Sequence, residues 1–161
     1  MLHYFMVFFI SMVPLIELRG AIPYAVGFGL NMYASYAIAI IGNMLPVPVI
    51  FFFARKVLEW GVNIKSEKGI AKGFSKFCVF CTEKGHKGGE KLKAKAGRGL
   101  YFALFLFVGI PLPGTGAWTG TLAASFLDMD FKKSSIAAMC GVILAGVIMG
   151  IVSFAVKGAL S

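Results

Sequence analysis

The sequence predicts an all-α integral membrane protein of two inverted repeats, each a re-entrant helical hairpin followed by a transmembrane helix. Three observations lead there. The 161 residues are 58% hydrophobic, with mean hydropathy +0.83, which soluble domains rarely approach. Charge avoids four long apolar stretches and crowds into one connector. Two of those stretches are broken in the middle, and a shift of 97 residues brings their prolines into register.

The first stretch, Met1–Leu30, reads as a hairpin over 1–30. Its break is Pro14-Leu15-Ile16-Glu17-Leu18-Arg19-Gly20-Ala21-Ile22-Pro23. Proline removes an amide donor and clashes with the preceding turn, while glycine permits a tight reversal. Pro14, Gly20 and Pro23 are therefore the expected hairpin breaks. Glu17 and Arg19 are the only charged residues before Arg55. No basic region precedes this stretch, and it runs past any plausible cleavage point, so it reads as part of the membrane protein and not as a cleaved signal.

Tyr33–Ala54 carries no charge and predicts a transmembrane helix over 33–60, which with the hairpin makes repeat one, 1–60. Gly42-Asn43-Met44-Leu45-Pro46-Val47-Pro48 interrupts it. An amide inside a span needs a partner, which makes Asn43 a candidate substrate contact.

Arg55–Arg98 holds twelve Lys or Arg and four Glu. Most of it, 61–98, predicts a basic amphipathic connector at the cytoplasmic membrane surface, its lysines facing anionic lipid heads. The net charge of +9 is thereby explained without nucleic acid. Ile70–Phe80 reads as an amphipathic helix. Cys78, Cys81 and His86 have the look of a metal or redox site, but a zinc site wants four ligands and no second pair exists, so no metal and no cofactor is expected. Cys140 reads as a small packing residue and His3 as an interfacial one.

Repeat two, 99–161, predicts a hairpin over 99–127 and a transmembrane helix over 133–158. Its break is Gly109-Ile110-Pro111-Leu112-Pro113-Gly114-Thr115-Gly116-Ala117-Trp118-Thr119-Gly120, with Pro111 and Pro113 as the breaking residues. Glycine-rich backbone at a helix N-terminus binds anions. Gly114, Thr115 and Gly116 open a helix expected near Ala117, and Trp118 is either a cavity wall or a packing residue. In the last span, Gly141, Gly146 and Gly150 permit close helix approach.

The 97-residue shift pairs Tyr4-Phe5 with Tyr101-Phe102, Phe8 with Phe105, Pro14-Leu15 with Pro111-Leu112, Leu30 with Leu127 and Met32 with Met129. Such agreement points to an internal duplication. Charge sets the orientation. If both broken stretches were single spans, Lys132-Lys133 would lie opposite the basic loop, against the positive-inside tendency. If both are re-entrant, the loop 55–98 and Lys132-Lys133 share the cytoplasmic side of the cell membrane, and both termini lie outside.

These motifs are similar to those of the small multi-drug export family. Glu17 through Pro23 resembles its first signature, Gly42 through Pro48 its second, and Ile110 through Gly120 its third, with Lys84-Gly85 through Lys91 resembling the basic stretch before it. The family is similar in layout to the DedA superfamily. That resemblance implies two inverted re-entrant hairpins, movement of lipids such as a phosphate-bearing polyprenyl carrier, and dependence on protons.

The resulting expectation is a transporter or lipid translocase. Arg19 offers a planar fork suited to phosphate or carboxylate; with Asn43, Gly114, Thr115, Gly116 and Trp118 it would bind an anionic head group, lipid phosphate preferred. Glu17, two residues from Arg19 in an extended tip, would couple movement to protons. Three other readings stand beside this: a structural salt bridge between Glu17 and Arg19, an exporter of small cationic drugs using Glu17, and a non-transporting membrane scaffold acting through the basic loop. No nucleophile–base set lies in the membrane segments, so an enzyme is not expected. So small a chain leaves its tips little cover, which predicts a homodimer or higher homo-oligomer among membrane lipids.

Overall fold

A computed structural model describes residues 1–14, 16–63, 79, 98–112 and 114–160. The described residues are all-helical, with no strand. The helices are α1 (Leu2–Met12), α2 (Glu17–Gly27), α3 (Met32–Met44), α4 (Pro46–Asn63), α5 (Arg98–Gly109), α6 (Ala117–Phe126) and α7 (Phe131–Leu160). Most of the connector 61–98 lies outside the described residues, and with it the Ile70–Phe80 helix, Cys78, Cys81, His86 and the Lys84–Lys91 stretch; so does Pro113.

Two helices are long and apolar enough to cross a membrane: Met32–Ala54, of 23 residues, and Phe131–Ala159, of 29. At about 1.5 Å per residue both exceed a hydrocarbon core of about 30 Å. The first joins α3 to α4. Leu45, between them, has φ −61 and ψ −41, so the helical path continues through it, although Pro46 and Pro48 have no amide hydrogen to offer the carbonyls of Gly42 and Met44. Each span opens on an Asx cap: Asn31 Oδ1 accepts from the Ala34 N–H at 3.1 Å, and Asp130 Oδ1 from the Lys133 N–H at 3.0 Å. By contrast α1, α2, α5 and α6 have 11, 11, 12 and 10 residues, about half the length that spans a bilayer.

Contacts between helices give their directions. The Asn31 N–H donates to the Tyr4 hydroxyl at 3.2 Å, and Phe8 and Ser11 lie against Gly42; α1 and α3 therefore run the same way. Lys133 Nζ sits 5.9 Å over the Tyr101 ring, and Phe105 and Val108 lie against Gly141, so α5 and α7 also run together. The Tyr36 hydroxyl donates to the Ile143 carbonyl and Met32 lies over Gly150, which makes α3 and α7 antiparallel. Helix α2 packs on α1, α3 and α7, and α6 packs on α4 and α7. Val7, Leu18, Ile22, Phe51, Val108 and Val142 are among the residues of the core so enclosed.

Three expectations are corrected. The first tip is not extended: α2 already starts at Glu17, placing Glu17 and Arg19 in its first turn. Gly20 and Pro23 lie inside α2 and are not breaks, because Pro23 forgoes only the bond to the Arg19 carbonyl one turn back. Cys140 is exposed and not packed inside. His3 also has more to do than expected: its Nδ1 hydrogen-bonds the Tyr24 hydroxyl at 3.0 Å and its ring stacks on Phe28 at 4.6 Å, tying the start of α1 to the end of α2.

At Gly141 α5 lies close against α7. A Cβ there would stand 2.7 Å from Val108 Cβ and 2.8 Å from the Phe105 carbonyl oxygen, whereas one at Gly150 would meet only the flexible end of Met32, at 3.5 Å. Gly141→Ala is expected to destabilise the fold by about 1–3 kcal/mol and Gly150→Ala by less than about 0.5 kcal/mol, measured by reversible unfolding in mixed micelles.

Candidate functional site at the two breaks

The first break is short. Helix α1 ends at Met12 and Val13 turns extended, with φ −69 and ψ 128. Pro14, exposed to the outside of the fold, cannot donate an amide. Helical bonding resumes at once, the Glu17 N–H donating to the Val13 carbonyl at 3.0 Å and the Gly20 N–H to the Ile16 carbonyl at 3.1 Å. Glu17 itself holds φ +52, a left-handed conformation that a non-glycine residue adopts at a cost of about 1–2 kcal/mol.

The second break is longer, from Ile110 to Gly116, and includes Pro111. Tight bonds organise it: the Leu112 N–H donates to the Ile110 carbonyl at 2.8 Å and the Thr115 N–H to the Leu112 carbonyl at 3.2 Å. The Thr115 hydroxyl lies 2.9 Å from the Ile110 carbonyl oxygen and 2.8 Å from that of Leu112, donating to one of them. Gly114 and Gly116 have φ +81 and +141, where side chains are rarely tolerated.

Each charge of the first tip is bonded to the second tip. Glu17 Oε2 accepts from the Ala117 N–H at 3.2 Å, and Oε1 from the Trp118 N–H at 3.1 Å. These are orphan donors of the first turn of α6, at the positive end of its dipole. Arg19 does the converse for α5. Its Nη1 donates to the Leu112 carbonyl; Nη2 donates to the Thr115 hydroxyl at 2.9 Å and reaches the Ile110 and Val108 carbonyls at 3.3 and 3.4 Å. A carboxylate therefore answers the N-terminus of one helix and a guanidinium the C-terminal carbonyls of the other. Charged hydrogen bonds of this kind contribute about 1.5–3 kcal/mol each.

The structure thus brings together Glu17, Arg19, Thr115, Gly116 and the Trp118 backbone. It leaves Gly114 exposed. Asn43 is 2% exposed, and its Oδ1 has no hydrogen-bond partner. The sequence does not announce the carbonyls of Val108, Ile110 and Leu112 or the amide of Ala117 as participants, because main-chain groups carry no residue signature. Ser125, whose hydroxyl donates to the Phe51 carbonyl at 2.9 Å, is a further cross-helix contact; its signal is a polar residue one turn from Thr121 in an apolar helix. At the far end of α2, Lys157 Nζ donates to the Val26 carbonyl at 2.9 Å. Among the described residues no group of three His, Cys, Asp or Glu is placed to hold a metal ion.

Gly116 has two reasons to be glycine: its φ, and a Cβ that would fall 2.3 Å from Glu17 Oε2. Gly116→Ala is expected to cost about 1–3 kcal/mol of stability, and Glu17→Gln, which keeps the shape but removes the charge from the α6 N-terminus, about 1–2 kcal/mol. In Gly116→Ala/Glu17→Ala, where the clash is relieved, the alanine at 116 should cost less than it does alone; a double-mutant cycle by thermal unfolding measures the difference.

Comparison with curated proteins and with solved structures returns no match. A family model does match, over residues 17–148, a range that starts at Glu17, takes in the first candidate span and the second break, ends within the second candidate span, and carries the description "Putative small multi-drug export protein". The chain is a helical membrane protein that belongs to this family.

Proposed function

We propose that the chain is a membrane transporter or lipid translocase in which two inverted re-entrant hairpins meet at mid-bilayer, bind an anionic head group between their tips, and couple its movement to a proton on Glu17. The observation that carries this reading is the Glu17 carboxylate on the Ala117 and Trp118 amides: the α6 N-terminus accepts an oxyanion, and Glu17 is the resident one. A protonated Glu17 has no charge to set against the dipole. It can then yield its place to a phosphate or carboxylate, with the Arg19 fork alongside. Lipid phosphate is the preferred substrate.

The layout is supported by the helix directions. Because α1 runs with α3, and α5 with α7, each short helix pair enters and leaves by the face from which the following span starts. Antiparallel α3 and α7 then invert the two repeats. Phe131, at the start of α7, packs on Phe51 at 5.2 Å and Phe52 at 4.8 Å. This groups α4 and the starts of α5 and α7 at one end, the end given to the cytoplasm with Lys132, Lys133 and the loop 55–98, leaving both termini outside. A second copy of the chain is the proposed cover for the tips, since Pro14, Ile16, Leu112 and Gly114 are exposed and irregular backbone at membrane depth needs protein or water against it. No enzymatic step is proposed.

A second reading, export of small cationic drugs, draws on the family's description and on Glu17 as the carboxylate at the tips. In liposomes reporting lipid accessibility, Arg19→Ala and Glu17→Gln are each expected to slow movement about tenfold or more, and Glu17→Gln to abolish its pH dependence. Unchanged rates in both variants overturn the lipid reading. In cells challenged with cationic drugs, resistance lost in Glu17→Gln but kept in Arg19→Ala supports the second reading instead.

A further inference from the structure

We propose that the groove between α2 and the later part of α7 is a binding site for an anionic phospholipid, with its phosphate at Lys157 and one acyl chain lying along the groove. This requires only that the chain lies in a membrane and does not rest on the transport reading.

The groove has a volume of about 430 Å³. Pro23, Val26 and Gly27 of α2 form one wall and Met149, Val152 and Val156 of α7 the other, with Ser153 and Lys157 completing the lining. Below Lys157 the walls are apolar, because the Ser153 hydroxyl is turned onto its own helix and donates to the Met149 carbonyl at 2.6 Å. A Cβ at Gly27 would meet nothing within 4 Å, so the α2 wall is open there. Val152 and Val156 are 48% and 52% exposed, which on a span turns them toward lipid chains. Water finds nothing to bond along such walls, whereas a hydrocarbon chain fills them without stranding a polar group.

Length and charge identify the occupant. From Met149 to Lys157 α7 rises about 12 Å at 1.5 Å per residue. That is most of one leaflet, about 15 Å as half of a hydrocarbon core of about 30 Å. Lys157 lies about 37 Å along α7 from Lys132. With Lys132-Lys133 at one membrane surface, the Lys157 ammonium therefore reaches the head groups of the other. Its Nζ is held there on the Val26 carbonyl at 2.9 Å, at the mouth of the groove. The C-terminal end of α2 is worth only about half a negative charge, against a full positive charge on the ammonium. A phosphodiester at this level with a chain below it matches both ends of the groove. A zwitterionic lipid brings a cation of its own to the same place, and a free phosphate would use the mouth alone.

The test uses the full chain in nanodiscs of phosphatidylcholine, doped with phosphatidylglycerol that carries a diazirine midway along one chain. Residues cross-linked on illumination are mapped by mass spectrometry. Phosphatidylcholine with the same diazirine is the control lipid. Ile151 and Phe154 are the reference positions, since they are exposed at similar depth on the side of α7 that faces α3. With the phosphatidylglycerol probe, labelling of Val152 and Val156 is expected to exceed theirs about threefold or more; with the control lipid the two sides should label alike. Lys157→Gln should remove the excess and Lys157→Arg keep it. Gly27→Leu, which fills the groove and leaves the charge, should remove it as well. If Lys157→Gln does not fold, the two lipids and Gly27→Leu carry the test. Equal labelling of the two sides by phosphatidylglycerol, an equal excess with the control lipid, or an excess that survives in folded Lys157→Gln or Gly27→Leu overturns the proposal. Lys157 is then a cap on α2 and nothing more.

Discussion

The contact on which the rest of this structure depends is the Glu17 carboxylate against the first two amides of α6. It is made across 100 residues of chain, between two helices too short to cross a membrane by themselves. A helix that starts in a buried place, as α6 does at Ala117, exposes donors that apolar surroundings cannot satisfy, so it can begin there only if an acceptor comes to meet it. Glu17 is that acceptor, and its own burial is tolerable because the amides are there. The positive φ of Glu17 and the bare backbone of Gly116 are both consequences of getting the carboxylate into place.

Arg19 completes the arrangement with the opposite polarity. Two residues on from Glu17, it reaches the Val108 carbonyl in the last turn of α5 and the Ile110 and Leu112 carbonyls of the break that follows. The two charges thus stabilise a helix start and a helix end, both about 90–100 residues further along the chain. The two breaks are unequal in chemistry: one supplies the side-chain charges, the other the main-chain dipoles.

Away from the tips the same logic recurs in neutral form. Tyr36, Ser125 and Lys157 each place a side-chain donor on a main-chain carbonyl of a neighbouring helix. In a membrane, apolar packing does not distinguish a neighbouring helix from lipid, so association rests on close contact at small residues and on polar bonds of this kind. Gly141 serves the first and Tyr36 the second. The end of α3 is the exception: Asn43 is 2% exposed and its Oδ1 has no hydrogen-bond partner among the described residues.

The sequence by itself determined the class of protein, the presence of two spans long enough to cross, and the positions of the breaks at Pro14 and Pro111. Each of these follows from composition or from what proline does locally, and needs no knowledge of neighbours. It also singled out Glu17 and Arg19, since charge in an apolar run is costly wherever the chain goes. Local rules misplaced Gly20 and Pro23, because a helix in its first turns tolerates both. What only the tertiary structure decided is whom the charges address. Glu17 and Arg19 looked like partners because they are two residues apart. Folding turned both toward the second break, where main-chain amides and carbonyls, invisible in a string of side-chain letters, take up the hydrogen bonds of both charges.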